Sequence, residues 1–117
     1  MSRLLVVDDE LHVRRLYQEV LSRDGHEVTA VATGEEAFSV LDEHPYDLVV
    51  LDIELENDSG LDILKQLKAV HPDLPVILNS AYTVYKADFH SWVADAYVLK
   101  SSDFKPLKEK ISELMHV

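Results

Sequence analysis

The chain contains no cysteine, which removes disulfides, zinc–thiolate sites and thiol catalysis at once. Glycine and proline are sparse, three and four in 117 residues, and no linker, low-complexity tract or internal repeat interrupts the sequence. No apolar run approaches the roughly 20 residues needed to cross a bilayer, and the N-terminus lacks the charged-then-apolar build of a signal peptide. A cytoplasmic protein without a membrane partner is therefore expected. Basic residues are also few: 11 against 22 acidic ones, a formal charge of −11 spread along the chain. Such a field repels nucleic-acid phosphates, and no Lys/Arg cluster compensates, so direct nucleic-acid binding by this chain is not expected. The acidic excess suits a divalent cation or a basic partner surface, although a solvated acidic surface is the commoner meaning of such a balance.

What is present is a 47% hydrophobic sequence of the right length for one domain over residues 1–117. Strand-like apolar runs fall at Leu4–Val7, Glu27–Ala32, Leu48–Leu51, Val76–Leu78 and Ala96–Leu99. Four are nearly continuous, as strands buried on both faces are, whereas Glu27-Val28-Thr29-Ala30-Val31 alternates like an edge strand. Between them lie helical patterns: Val13, Tyr17, Val20, Leu21 and Phe104, Leu107, Ile111, Leu114 share helical spacing. Thr33-Gly34-Glu35-Glu36 and Ser59-Gly60-Leu61-Asp62 read as capping boxes, and Pro106 fits a first helical turn after Ser102 or Asp103. The stretch Thr83–Trp92 has the weakest periodicity and predicts a short helix. Five βα units in succession predict an α/β fold, a doubly wound parallel sheet of strand order 2-1-3-4-5.

That order has a chemical consequence. Asp8 and Asp9 follow the first strand, Asp52 ends the third, Ser80 follows the fourth and Lys100 ends the fifth. All of them converge on the carboxyl edge of the sheet, where the chain leaves strands 1 and 3 in opposite directions and opens a crevice. Crowded carboxylates repel unless a cation sits among them, so the cluster reads as a magnesium site beside a reactive Asp.

With these residues in place, the chain resembles the response regulator receiver domain of two-component signalling over essentially its whole length. The matching residues are Asp8-Asp9, Asp52 with Gly60 downstream, Ser80-Ala81, and Tyr97 with Lys100. The resemblance implies that Asp52 accepts a phosphoryl group from a phosphohistidine on a sensor histidine kinase or a histidine phosphotransfer protein. It implies Mg²⁺, with Mn²⁺ as a substitute, bound by Asp9, Asp52 and the Glu54 backbone carbonyl, with Asp8 acting mainly through a coordinated water. Lys100 and Ser80 would bind phosphoryl oxygens. Ser80 and Tyr97 would be the switch pair, reshaping the face made by the last two strand–helix units (with Tyr85, Phe89 and His90) for an output partner. Glu54 and Tyr82 would tune hydrolysis, Tyr82 by shielding the acyl phosphate from water. Slow autodephosphorylation and homodimerisation on phosphorylation also follow from the likeness. Output would pass through noncovalent contacts or lie in sequence outside this chain.

Each residue alone has a plainer meaning. An isolated Asp-Asp more often caps a helix, a strand-end Lys or a turn Ser is usually solvated, and a strand Tyr is usually a core aromatic. Their joint placement around Asp52 is what favours the receiver. His12, His26, His44, His71, His90 and His116 are scattered without ligand spacing and read as solvated or capping; a kinase-type phosphohistidine would need a two-helix dimerisation context that this chain lacks, so the donor is expected on another protein, and Trp92 is expected to be a partly buried anchor. Three features depart from the commoner receiver pattern: Glu56 where Pro is frequent, Ser101-Ser102 after Lys100 where Pro is frequent, and a short Ser80–Lys100 segment with Val93 where Gly is frequent. A haloacid-dehalogenase-type phosphatase would need an Asp where this chain has Glu54, and a flavodoxin-like carrier would need a glycine- and hydroxyl-rich loop in place of Asp8-Asp9-Glu10. A docking receiver that is never phosphorylated would not need the full set of Asp8, Asp9, Asp52, Ser80 and Lys100.

Overall fold

The three unbroken apolar runs at the middle of the sheet are buried on both sides, which is what their lack of alternation requires. The structure, a computed structural model, describes residues 2–55, 59–81 and 94–115. Its strands are β1 (Arg3–Val7), β2 (Glu27–Val31), β3 (Leu48–Asp52), β4 (Val76–Ser80) and β5 (Ala96–Leu99). All pairings are parallel, and the order is β2-β1-β3-β4-β5, as expected. The expected boundaries hold within two residues. β4 runs on to Ser80 because polar Asn79 and Ser80 are buried and paired in the ladder, which an apolar-run criterion cannot see.

Side chains of each strand alternate between two cores. Leu5, Val7, Val49, Leu51, Val76 and Leu78 face α2 (Gly34–Glu43) and α3 (Gly60–Val70), through Ala37, Leu41, Ile63, Leu64 and Leu67. Leu4, Val6, Leu48, Val50, Ile77 and Val98 face α1 (Leu11–Ser22) and α4 (Lys105–Met115), through Tyr17, Leu21, Leu107 and Ile111. The helix expected over Thr83–Trp92 lies outside the described residues, as do Tyr82, Tyr85, Phe89, His90, Trp92, Val93, Glu56 and His116.

Both predicted helix starts are capped by the N-cap side chain, and at α2 the Glu36 carboxylate reaches back to the amide before the cap. The Thr33 hydroxyl accepts from Glu36 N at 3.1 Å while Glu36 Oε1 accepts from Ala32 N at 3.0 Å, and Ser59 Oγ accepts from Asp62 N at 3.3 Å. Asp103 Oδ1 accepts from Lys105 N at 3.0 Å, which seats Pro106 in the first turn of α4. The chain turns from α1 toward β2 at Gly25, whose φ of +90° disfavours any side chain. Among the described residues no helix is long and apolar enough to cross a membrane.

Gly60 opens α3 directly against the end of β3. A Cβ there would lie 2.6 Å from the Asp52 carbonyl oxygen, 2.6 Å from Ile53 Cα and 2.7 Å from the Ile53 carbonyl oxygen, all backbone atoms that cannot rotate away. The absent side chain thus lets α3 close over the strand end that carries Asp52. Gly60→Ala is expected to lower stability by about 3 kcal/mol, read as a lower urea midpoint at unchanged slope.

Candidate functional site

Strand register places the site. Val7 pairs with Leu51, so Asp8 emerges from β1 beside Asp52, the last residue of β3. Asp52 pairs with Asn79 and Ser80 with Leu99, which carries Lys100 to the same edge, its amide donating to the Ser80 carbonyl at 2.7 Å. Asp8 and Asp52 are 2% and 3% exposed, Asp9 is half-buried, and one carboxylate oxygen from each lies within 4.8 Å of the others. Lys100 Nζ donates to Asp8 Oδ2 at 2.8 Å and to Asp52 Oδ2 at 3.0 Å. The sequence-derived cluster is therefore a physical one.

The second oxygens of the two buried carboxylates are fixed by the backbone. Asp8 Oδ1 accepts from Glu10 N and Asp52 Oδ1 from Glu54 N, each at 3.0 Å, so each loop folds back on the Asp that starts it. Asp8 thus tethers the loop at Glu10. Glu10 itself occupies the N-cap position of α1 without a side-chain cap, so the plainer helix-capping meaning of Asp8 does not hold. Arg14 Nη1 donates to the Asp8 carbonyl at 2.9 Å and holds the same turn from α1.

Burial dominates the electrostatics. Removal from water pushes the Asp52 carboxyl up to about 6, with Asp8 adding to the rise, while the Lys100 ammonium and the Glu54 amide pull the other way. Lys100 moves upward because its bonds to Asp8 and Asp52 outweigh its own desolvation. Three carboxylates facing a single bridging ammonium leave a net negative, all-oxygen donor set. Those are the ligands a hard divalent cation such as Mg²⁺ takes, and the crowding is what such a cation relieves.

Ser80 is fully buried at the end of β4, and its Oγ donates to Glu54 Oε1 at 2.8 Å. Tyr97 on β5 is half-buried against the α2/α3 core, the commoner fate of a strand tyrosine. Beneath the cluster lies a pair that sequence reasoning missed. The Tyr17 hydroxyl donates to Asn79 Oδ1 at 2.5 Å, and Asn79 Nδ2 donates to the Val98 carbonyl at 2.8 Å. Burial, with the nearby Asp8 and Asp52 charges, pushes the Tyr17 hydroxyl up to about 12 against the opposing pull of Lys100, so it stays a donor. The available signal was a polar Asn inside the apolar run of β4.

A family model described as the response regulator receiver domain matches residues 4–112. The chain is 33% identical over 115 residues to the two-component response regulator PhoP of Pseudomonas aeruginosa, covering 97% of this chain and 51% of PhoP. It is 32% identical over 81 residues to sporulation initiation phosphotransferase F of Bacillus subtilis, covering 69% of this chain and 65% of that protein. The chain thus spans about half the length of PhoP and less than two thirds of the phosphotransferase. Among solved structures it is similar to the response regulator TrrA of Thermotoga maritima in complex with Mg²⁺-BeF, at 44% identity and a TM-score of 0.91 over 97% of this chain and 99% of that one. TrrA in complex with the histidine kinase ThkA matches at 43% identity with a TM-score of 0.90, covering 98% and 99%. With the aspartate cluster, the bridging lysine and the 2-1-3-4-5 sheet all in place, the chain belongs to the response regulator receiver domain family.

Proposed function

We propose that this chain is a phosphoacceptor module in which the Asp52 carboxylate takes a phosphoryl group from a phosphohistidine on a sensor histidine kinase or a histidine phosphotransfer protein. The observation that carries the reading is the Lys100 bridge between Asp8 and Asp52 inside a three-carboxylate cluster at the switch point of the sheet. A carboxylate oxygen of Asp52 forms the new bond to phosphorus. The bond from phosphorus to the donor imidazole nitrogen breaks, and its electron pair stays on that nitrogen.

Asp8, Asp9 and Asp52, with the Glu54 carbonyl, would hold Mg²⁺, which when bound neutralises charge on the transferring phosphoryl oxygens; Mn²⁺ would take the same oxygen donors. Lys100 already lies 3.0 Å from the acceptor and would shift its hydrogen bond from Asp52 Oδ2 to a phosphoryl oxygen, keeping its contact with Asp8. Ser80 would donate its hydroxyl to another. Movement of Ser80, with Tyr97 on the adjacent strand, would convey the change to an output partner on the face of the last two strand–helix units. The match covers only 51% of the length of PhoP, which supports an output partner outside these residues. Glu54 and Tyr82 would set the lifetime of the acyl phosphate.

Incubation with Mg²⁺ and acetyl phosphate is expected to give a single phosphoryl adduct by intact mass, which chelation of Mg²⁺ abolishes and Asp52→Asn prevents. No adduct under conditions that label another receiver would refute the reading. Relief of crowded charge has a stability counterpart. Asp52 titrates at about 6 in the folded chain against 3.8 in a free side chain, so its ionisation weakens the fold as pH rises through that interval. In chelator at pH 7, Asp52→Asn is expected to stabilise the protein by about 2 kcal/mol, a gain that vanishes below pH 4 and shrinks when Mg²⁺ is added. Thermal melts across pH with and without Mg²⁺ measure both effects.

A further inference from the structure

Glu54 physically joins the acceptor to the serine. Its amide donates to Asp52 Oδ1 at 3.0 Å, and its side-chain Oε1 accepts from Ser80 Oγ at 2.8 Å. The other carboxylate oxygen, Oε2, is buried and has no hydrogen-bond donor among the described residues. A carboxylate satisfied at one oxygen and bare at the other sits at a cost, beside a cluster that is already negative.

We propose, building on the phosphoacceptor reading above, that Glu54 is a latch on Ser80: its carboxylate occupies the hydroxyl proton that a phosphoryl group on Asp52 requires, so Glu54 restrains phosphorylation and is displaced by it. The physical basis is a competition for one donor. A serine hydroxyl has a single proton to give, and while Glu54 Oε1 accepts it a phosphoryl oxygen cannot. A phosphoryl group on Asp52 would add close to two negative charges beside Glu54. The bare Oε2 leaves Glu54 without compensation for that repulsion. Glu54 as a whole is half-buried rather than fully enclosed. In this role Glu54 is a positioning residue: it acts through Ser80 and never touches phosphorus.

The latch differs from a simple charge effect in needing the Ser80 hydroxyl. The test is the initial rate of adduct formation from acetyl phosphate with Mg²⁺, by intact mass, in the wild type, Glu54→Ala, Glu54→Gln, Ser80→Ala and the double variant Glu54→Ala/Ser80→Ala. Glu54→Ala is expected to label about tenfold faster than the wild type, the equivalent of one charge-assisted hydrogen bond. Glu54→Gln keeps an acceptor oxygen without the charge, so its rate should fall between the two, and its near-identical shape keeps the test open if the alanine variant folds poorly. In the Ser80→Ala background, removing Glu54 should change nothing. Equal rates in the wild type and both Glu54 variants, or the same acceleration with and without Ser80, would overturn the latch while leaving Asp52 as the acceptor. Absence of an adduct from every protein in the set would instead overturn the phosphoacceptor reading, and the latch with it.

Discussion

The ion pair of Lys100 with Asp8 and Asp52 is the constraint on which the rest of the site depends. Lys100 ends β5, Asp52 ends β3 and Asp8 follows β1, so one ammonium ties three strands together across the width of the sheet. A pair this buried is poor evidence for stability, because desolvation consumes much of the Coulomb attraction. Its value is positional. It fixes the Asp52 carboxylate, holds a positive charge beside it, and leaves two carboxylates' worth of negative charge uncompensated for a cation.

The scaffold makes that arrangement rigid. Both faces of β1, β3 and β4 are covered, by α2 and α3 on one side and α1 and α4 on the other, and the buried strand ends therefore cannot splay. Gly60 brings α3 onto the backbone of Asp52 and Ile53, and Asp8 and Asp52 each bind the amide two residues on. Chemistry at the rim is thus carried by short loops anchored to the strands that deliver them.

Below and beside the carboxylates, polar groups are buried in pairs. Tyr17 and Asn79 link α1 to β4, and Asn79 links β4 to the β5 carbonyl of Val98, so the layer under the site is hydrogen-bonded as well as packed. Glu54 is the exception, with one oxygen on Ser80 and one bare. A fully satisfied floor under a half-satisfied rim concentrates the capacity for change at Glu54 and Ser80, where charge on Asp52 would be felt first.

Much of this molecule is legible in its sequence because the relevant physics is local or periodic. Continuous apolar runs demand strands buried on both faces, capping boxes mark helix starts, and βα alternation leaves few topologies; strand order then brings Asp8, Asp9, Asp52, Ser80 and Lys100 to one edge. What the sequence could not decide depends on distances between residues far apart in the chain. Asp8 could equally have capped α1, and only the fold shows it holding the Glu10 amide and Lys100 instead. The strand β4 outlasts its apolar run because Asn79 and Ser80 find partners in Tyr17, Val98 and Glu54, none of them neighbours in sequence. Whether a carboxylate is a solvated surface charge or a buried group pushed up to about 6 is settled by burial and by a lysine 48 residues away, and those are properties of the tertiary structure alone.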